Sequence, residues 1–121
     1  MDKKALIREY KEARRPMGVY CIRNTVNGKL LIGKSLDLPS LLNRQRVQLR
    51  SGSHPNPTLH KDLVEYGTEA FEVEVLDTLE VTDQADSDPS ADLRTLEQMW
   101  LDKLSPFGNR GYNPEPKRTA S

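Results

Sequence analysis

Apolar positions change their period several times along the chain, and each change marks an element. Among the charges of residues 2 to 15, Ala5, Leu6, Ile7, Tyr10 and Ala13 predict a short amphipathic helix. Arg15-Pro16 ends it, because proline disfavours helical backbone in the residue before it. Gly18 to Arg23 reads as a strand and Lys29 to Gly33 as its return. Asn27-Gly28 lies between them and is the strongest short hairpin signal, since both residues tolerate positive φ, so residues 17 to 34 are expected to form a β-hairpin. From Leu38 to Arg50 the apolar residues at 38, 41, 42 and 49 keep a helical spacing until Ser51-Gly52-Ser53 stops it. A second helix, Thr58 to Tyr66, follows Pro55-Asn56-Pro57 and stops at Gly67. Phe71, Val73 and Val75 then alternate with Glu72 and Glu74, the period of a strand with one buried face. An acidic stretch from Thr82 to Asp92 leads into the last helix, about Ala91 to Leu104, and can cap its N-terminus. Ser105-Pro106 opens a Gly- and Pro-punctuated segment through Asn113.

These elements add up to an α+β fold, a small three-stranded antiparallel sheet flanked by helices. The expected organisation is an N-terminal helix over residues 1–16, one folded domain over 17–113 and a disordered tail over 114–121. A chain of 121 residues can bury one modest core, which leaves no room for a second domain. With 36% hydrophobic and 30% charged residues, and no apolar run near the roughly 20 residues that span a bilayer, a membrane role is excluded. The charged start Met1-Asp2-Lys3-Lys4 lacks a signal-peptide core, so a cytoplasmic location is expected. One cysteine, Cys21, rules out an internal disulfide; with only two histidines beside it, a four-ligand zinc site of the usual kind is ruled out too.

The net charge of zero conceals an asymmetry. Residues 1 to 61 hold 13 Lys/Arg against 4 Asp/Glu, a balance of +9, and residues 62 to 121 hold 5 against 14, a balance of −9. Two readings are open: one face that attracts polyanions, or two halves that attract each other within one fold.

The last helix carries the most informative single residue. At 100° per residue Leu93, Leu96, Trp100 and Leu104 share one apolar arc, and Glu97 falls inside it, between Leu104 and Leu101. An ionised carboxylate buried without a partner costs several kcal/mol. Glu97 must therefore be paired with a cation, for instance an arginine of the neighbouring helix, or be protonated, or stand at a cleft where it holds a metal.

Short motifs follow one another in order over residues 17–113. Gly18-Val19-Tyr20 is followed, after ten residues, by Leu31-Ile32-Gly33. Gly52-Ser53-His54-Pro55-Asn56, Tyr66-Gly67, Phe71-Glu72-Val73, Leu96-Glu97-Gln98-Met99-Trp100-Leu101 and Gly111-Tyr112-Asn113 complete the series. Taken together, they resemble the GIY-YIG nuclease family, in the manner of its phage-type homing and group I intron members. The resemblance implies a metal-dependent DNA endonuclease. It makes Glu97 the protein's ligand to one Mg²⁺ (or Mn²⁺), places Tyr20 near the attacking water, and gives Asn113 a supporting polar role. A hard cation held by one carboxylate, water and phosphate accords with how Mg²⁺ binds. The implied partner is double-stranded or branched DNA.

Three departures fall on the site that the resemblance implies. Leu31 stands where the second motif begins with tyrosine, Leu41 where an arginine is expected, and Gln45 where a histidine or comparable polar residue is expected. Each missing donor costs on the order of 10² to 10³ in rate. Arg44, three residues after Leu41 on the same side of the helix, either reaches back as a substitute or is a solvated surface residue. Leu41 itself borders the helix's apolar face and can simply extend the core. Lys29, Lys34, Arg44, Arg46 and Arg50 form an expected basic stripe for phosphate contacts, whose strength falls with salt. His54 and His60 can join it, although lone histidines are more often loop or helix-surface residues, and Cys21 and Trp100 read first as core. Two functions stand side by side. One is an altered endonuclease with Glu97, Tyr20, Arg44 and Asn113 as its catalytic residues. The other is a catalytically inactive nucleic-acid-binding module that uses Leu31 and Leu41 as packing.

Overall fold

The computed structural model describes residues 16–79 and 89–115. The expected N-terminal helix, the acidic loop through Asp88 and the tail beyond Glu115 lie outside the described residues. In chain order the elements are β1 (Met17–Asn24), β2 (Leu30–Ser35), α1 (Leu38–Ser51), α2 (Pro57–Tyr66), β3 (Phe71–Leu79) and α3 (Pro89–Leu104). Short 3₁₀ turns at Thr68–Ala70 and Gly108–Arg110 complete them. The sheet is three-stranded and antiparallel with order β2-β1-β3, so β1, buried at seven of its eight positions, is its centre.

Because side chains alternate across a strand, the two faces of β1 build two cores. Tyr20 and Ile22, with Phe71 of β3, meet Leu38 and Leu49 of α1 and Leu59 and Leu63 of α2. On the opposite face Val19, Cys21 and Ile32 meet Leu96, Trp100, Leu101 and Leu104 of α3, which confirms the apolar arc of that helix. Both α1 and α2 open with a side-chain cap, Asp37 accepting from the Ser40 amide and Asn56 from those of Thr58 and Leu59, and each has proline in its first turn.

One local expectation is corrected, in β3, while the hairpin forms as expected. Its loop closes through Asn24 N–H to Lys29 O and Gly28 N–H to Asn24 O, at 2.9 and 2.8 Å, and only Gly28 has positive φ, at 78°. Asn27 instead acts through its side chain, accepting from the Lys29 amide and donating to Asp62. In β3 the alternation breaks. The register against β1 shifts between Val19 and Tyr20, where partners pass from Asp77 to Val75. This bulge leaves Val75 43% exposed and turns Leu76 into the α3 core, while Asp77 accepts from Trp100 Nε1–H at 3.1 Å. Gly18 fits beside the bulge because any Cβ there would lie 2.0 Å from the Asp77 carbonyl oxygen.

Candidate active site

The free edge of β2 organises the candidate site. Its first half is covered by the segment Gly111–Asn113. Tyr112 N–H donates to Leu30 O at 2.8 Å, and Asn113 clamps Ile32 from both sides of its peptide, Oδ1 accepting from N–H at 2.8 Å and Nδ2 donating to C=O at 2.9 Å. Asn113 thus takes the place of a neighbouring strand and holds the edge straight up to Gly33. The clamp needs Gly111, where a Cβ would lie 2.5 Å from Leu30 O and 2.4 Å from Pro106 O.

Beyond the clamp stands the paired position Tyr20 and Gly33. A Cβ on Gly33 would lie 2.4 Å from the Tyr20 hydroxyl and 2.6 Å from Cζ, so the phenol crosses the strand where only glycine leaves room. Glu97 approaches from α3. Its side chain is 20% exposed, and Oε1 sits 3.1 Å from Lys34 Nζ. Burial, and after it the negative charge of Glu97, pushes the Tyr20 phenol above its usual value of 10.0. The charge of the last helix's carboxylate is thus felt at the hairpin's phenol.

The cation on Glu97 is Lys34 of β2, not an arginine of a neighbouring helix. Lys34 thus stands in an ion pair, whereas the sequence put it in a free basic stripe. Arg44, Arg46 and Arg50 are exposed on α1 and their side chains make no ion pair or hydrogen bond among the described residues, and Lys29 is half-buried beside the hairpin loop. Leu31 and Leu41, at the departed motif positions, pack against the α1/α2 core. Gln45 is buried, and its Oε1 accepts from His54 Nε2–H at 2.7 Å.

His54 is therefore no loop-surface residue. It is buried, its Nδ1 accepts from the Asn56 amide at 3.0 Å, and burial followed by the neighbouring His60 lowers its pKa from 6.5. A second buried network also escaped the sequence reading. Tyr112 Oη donates to Asp62 Oδ2 at 2.8 Å and accepts from Asn24 Nδ2–H at 3.1 Å. Burial first, and with it the carboxylate of Asp62, raises the Tyr112 phenol to about 12 against the opposing pull of the Asn24 amide. Polar residues spaced 88 and 50 apart carry no local signal that they will meet. Cys21 is core, as expected; burial first, then Glu74, lifts its thiol to about 12, which makes it unreactive.

Among the described residues no three His, Cys, Asp or Glu side chains converge on a metal position. The donor set at the β2 edge is one carboxylate, which suits a hard cation completed by water and phosphate rather than an all-protein cage. A cleft of about 310 Å³ opens next to it, walled by Lys34, Ser35 and Leu36 and by Ser90, Leu93 and Arg94 of α3.

No protein-family model matches the chain, and no curated protein matches it by sequence. Solved structures do. The chain is similar to the catalytic domain of the homing endonuclease I-TevI with 26% identity and a TM-score of 0.62, over 83% of this chain and 99% of that one. A point mutant of the catalytic domain of intron endonuclease I-TevI gives 23% identity and a TM-score of 0.63, over 81% and 92%. The shared fold is that of a GIY-YIG catalytic domain.

Proposed function

From a GIY-YIG-type fold as premise, we propose that this chain is a metal-dependent DNA endonuclease of altered type, hydrolysing a phosphodiester at the exposed end of β2. The reading is supported by the room that Gly33 leaves for the Tyr20 phenol and by the charge of Glu97, which is felt at that phenol from α3. Glu97 would hold one Mg²⁺ or Mn²⁺, which when bound neutralises phosphate charge and lowers the pKa of water. Tyr20 stays protonated at neutral pH, because burial and Glu97 both oppose ionisation; it orients a water or phosphate oxygen as a hydrogen-bond donor and does not act as a phenolate base. Lys34 holds the carboxylate in place and becomes available to phosphate when the carboxylate takes a cation. Asn113 acts on the site through Ile32, by fixing the strand that carries Gly33 and Lys34. Arg44, Arg46, Arg50 and Lys29 supply phosphate contacts that set affinity without sequence information.

Supercoiled plasmid incubated with Mg²⁺ or Mn²⁺ is expected to be nicked or linearised, and Glu97→Ala or a chelator is expected to abolish the product. Folded protein that leaves the plasmid intact would overturn the hydrolytic reading. A second reading is a catalytically silent DNA-binding module. It is favoured by Leu31 and Leu41 packing against the core and by Gln45 being bonded to His54. Salt-sensitive retention of DNA without cleavage is its signature.

A further inference from the structure

We propose that the cleft between the end of β2 and the first turns of α3 is a phosphate-binding subsite, in which Arg94 supplies from α3 the guanidinium that Leu41 has removed from α1. This subsite rests on the DNA-directed reading above. Arg94 precedes Glu97 by three residues, so the two side chains are neighbours on one helix face. It is exposed, lines the cleft, and makes no ion pair among the described residues. Across the cleft stands Lys34, whose ammonium is 3.1 Å from the Glu97 carboxylate. Two cations thus face one cavity of about 310 Å³ at the rim of the candidate site, and among the described residues only one of them is neutralised. An anion with several acceptor oxygens satisfies both, and a guanidinium presents the fork that phosphate oxygens match. A strand phosphate seated there also competes with Glu97 for the Lys34 ammonium, so its arrival releases the carboxylate.

The test is equilibrium binding of a fluorescently labelled mixed-sequence DNA duplex, measured without divalent metal across a range of salt. Arg94→Gln is expected to weaken binding by about 5- to 10-fold near 0.1 M salt and to reduce the salt slope by about 1, the signature of removing one phosphate-binding cation. Arg94→Lys should weaken binding less. Lys103→Gln, nine residues further along α3 with its ammonium 5.0 Å over the Trp100 ring, removes the same charge far from the cleft and is expected to bind as the parent does. Parent-like binding by Arg94→Gln, or an equal weakening in Lys103→Gln, overturns the subsite while leaving the DNA-directed reading intact. If the parent protein retains no duplex at low salt, that reading fails and the subsite with it.

Discussion

Individual residues in this chain take their roles from their partners. His54 receives the Asn56 amide on Nδ1 and donates from Nε2 to Gln45, so both nitrogens are committed only while the ring is neutral. A second proton would have to displace the Asn56 amide. Its pKa lies below 6.5 in the fold, so the unfolded chain binds the proton more readily, and the contribution of His54 to stability is complete above about pH 6.5 and disappears as pH falls through its lowered value. Urea unfolding at pH 7.5 and pH 5.5 should show this decline, and His54→Ala should flatten that part of the profile. The variant is also expected to be less stable by about 1–3 kcal/mol at pH 7.5, because the Gln45 oxygen and the Asn56 amide are left without their buried partner. A pH response unchanged by His54→Ala would show that the histidine is not its source.

Elements differ in how far they could be read from the sequence. The strands and helices were legible because hydrophobic period depends only on near neighbours. The order of the motifs made the fold legible as well, and the position of Glu97 within a leucine arc singled it out as a candidate. Long-range pairings were not legible. That Lys34 pairs with Glu97, that Gln45 and His54 bond in the core, and that a bulge exposes Val75 all follow from how strands and helices stack, which no local pattern encodes. The strand pair β1–β2 offers its own test. Gly33→Ala would set a methyl 2.4 Å from the Tyr20 hydroxyl and force the phenol aside. Cleavage is expected to fall on the order of 10²-fold, as for removal of a preorganised donor. Tyr20→Phe, which deletes the same hydroxyl without crowding, should fall comparably, and thermal unfolding should show both variants folded. Full activity in Gly33→Ala would separate the phenol from the chemistry.

For the whole molecule, the charge asymmetry is met in part by contacts between its two halves. The ion pairs seen among the described residues, Arg23 with Glu72 and Glu74 and Lys34 with Glu97, all join the basic half to the acidic half. These are exposed or partly exposed contacts, and their contribution to stability is small. The outer surface of α1, with Arg44, Arg46 and Arg50, takes no part in them. If this surface faces a polyanion, replacing all three with Gln should weaken duplex binding uniformly across sequences and shallow the salt slope by about 0.9 for each phosphate no longer neutralised. An unaltered slope would leave only the cleft beside α3 as a DNA surface. No helix among the described residues is long and apolar enough to cross a membrane.

The proposed function depends on one juxtaposition, that of the Glu97 carboxylate with the Tyr20 phenol. Titration of the Tyr20 ring carbon Cζ by NMR, assigned through Tyr20→Phe, measures it without substrate or metal. In the parent protein the midpoint should lie above 10.0. In Glu97→Gln, which keeps the shape and deletes the charge, it should move down while the part due to burial persists. A midpoint indifferent to that substitution would mean that the two groups do not share a site.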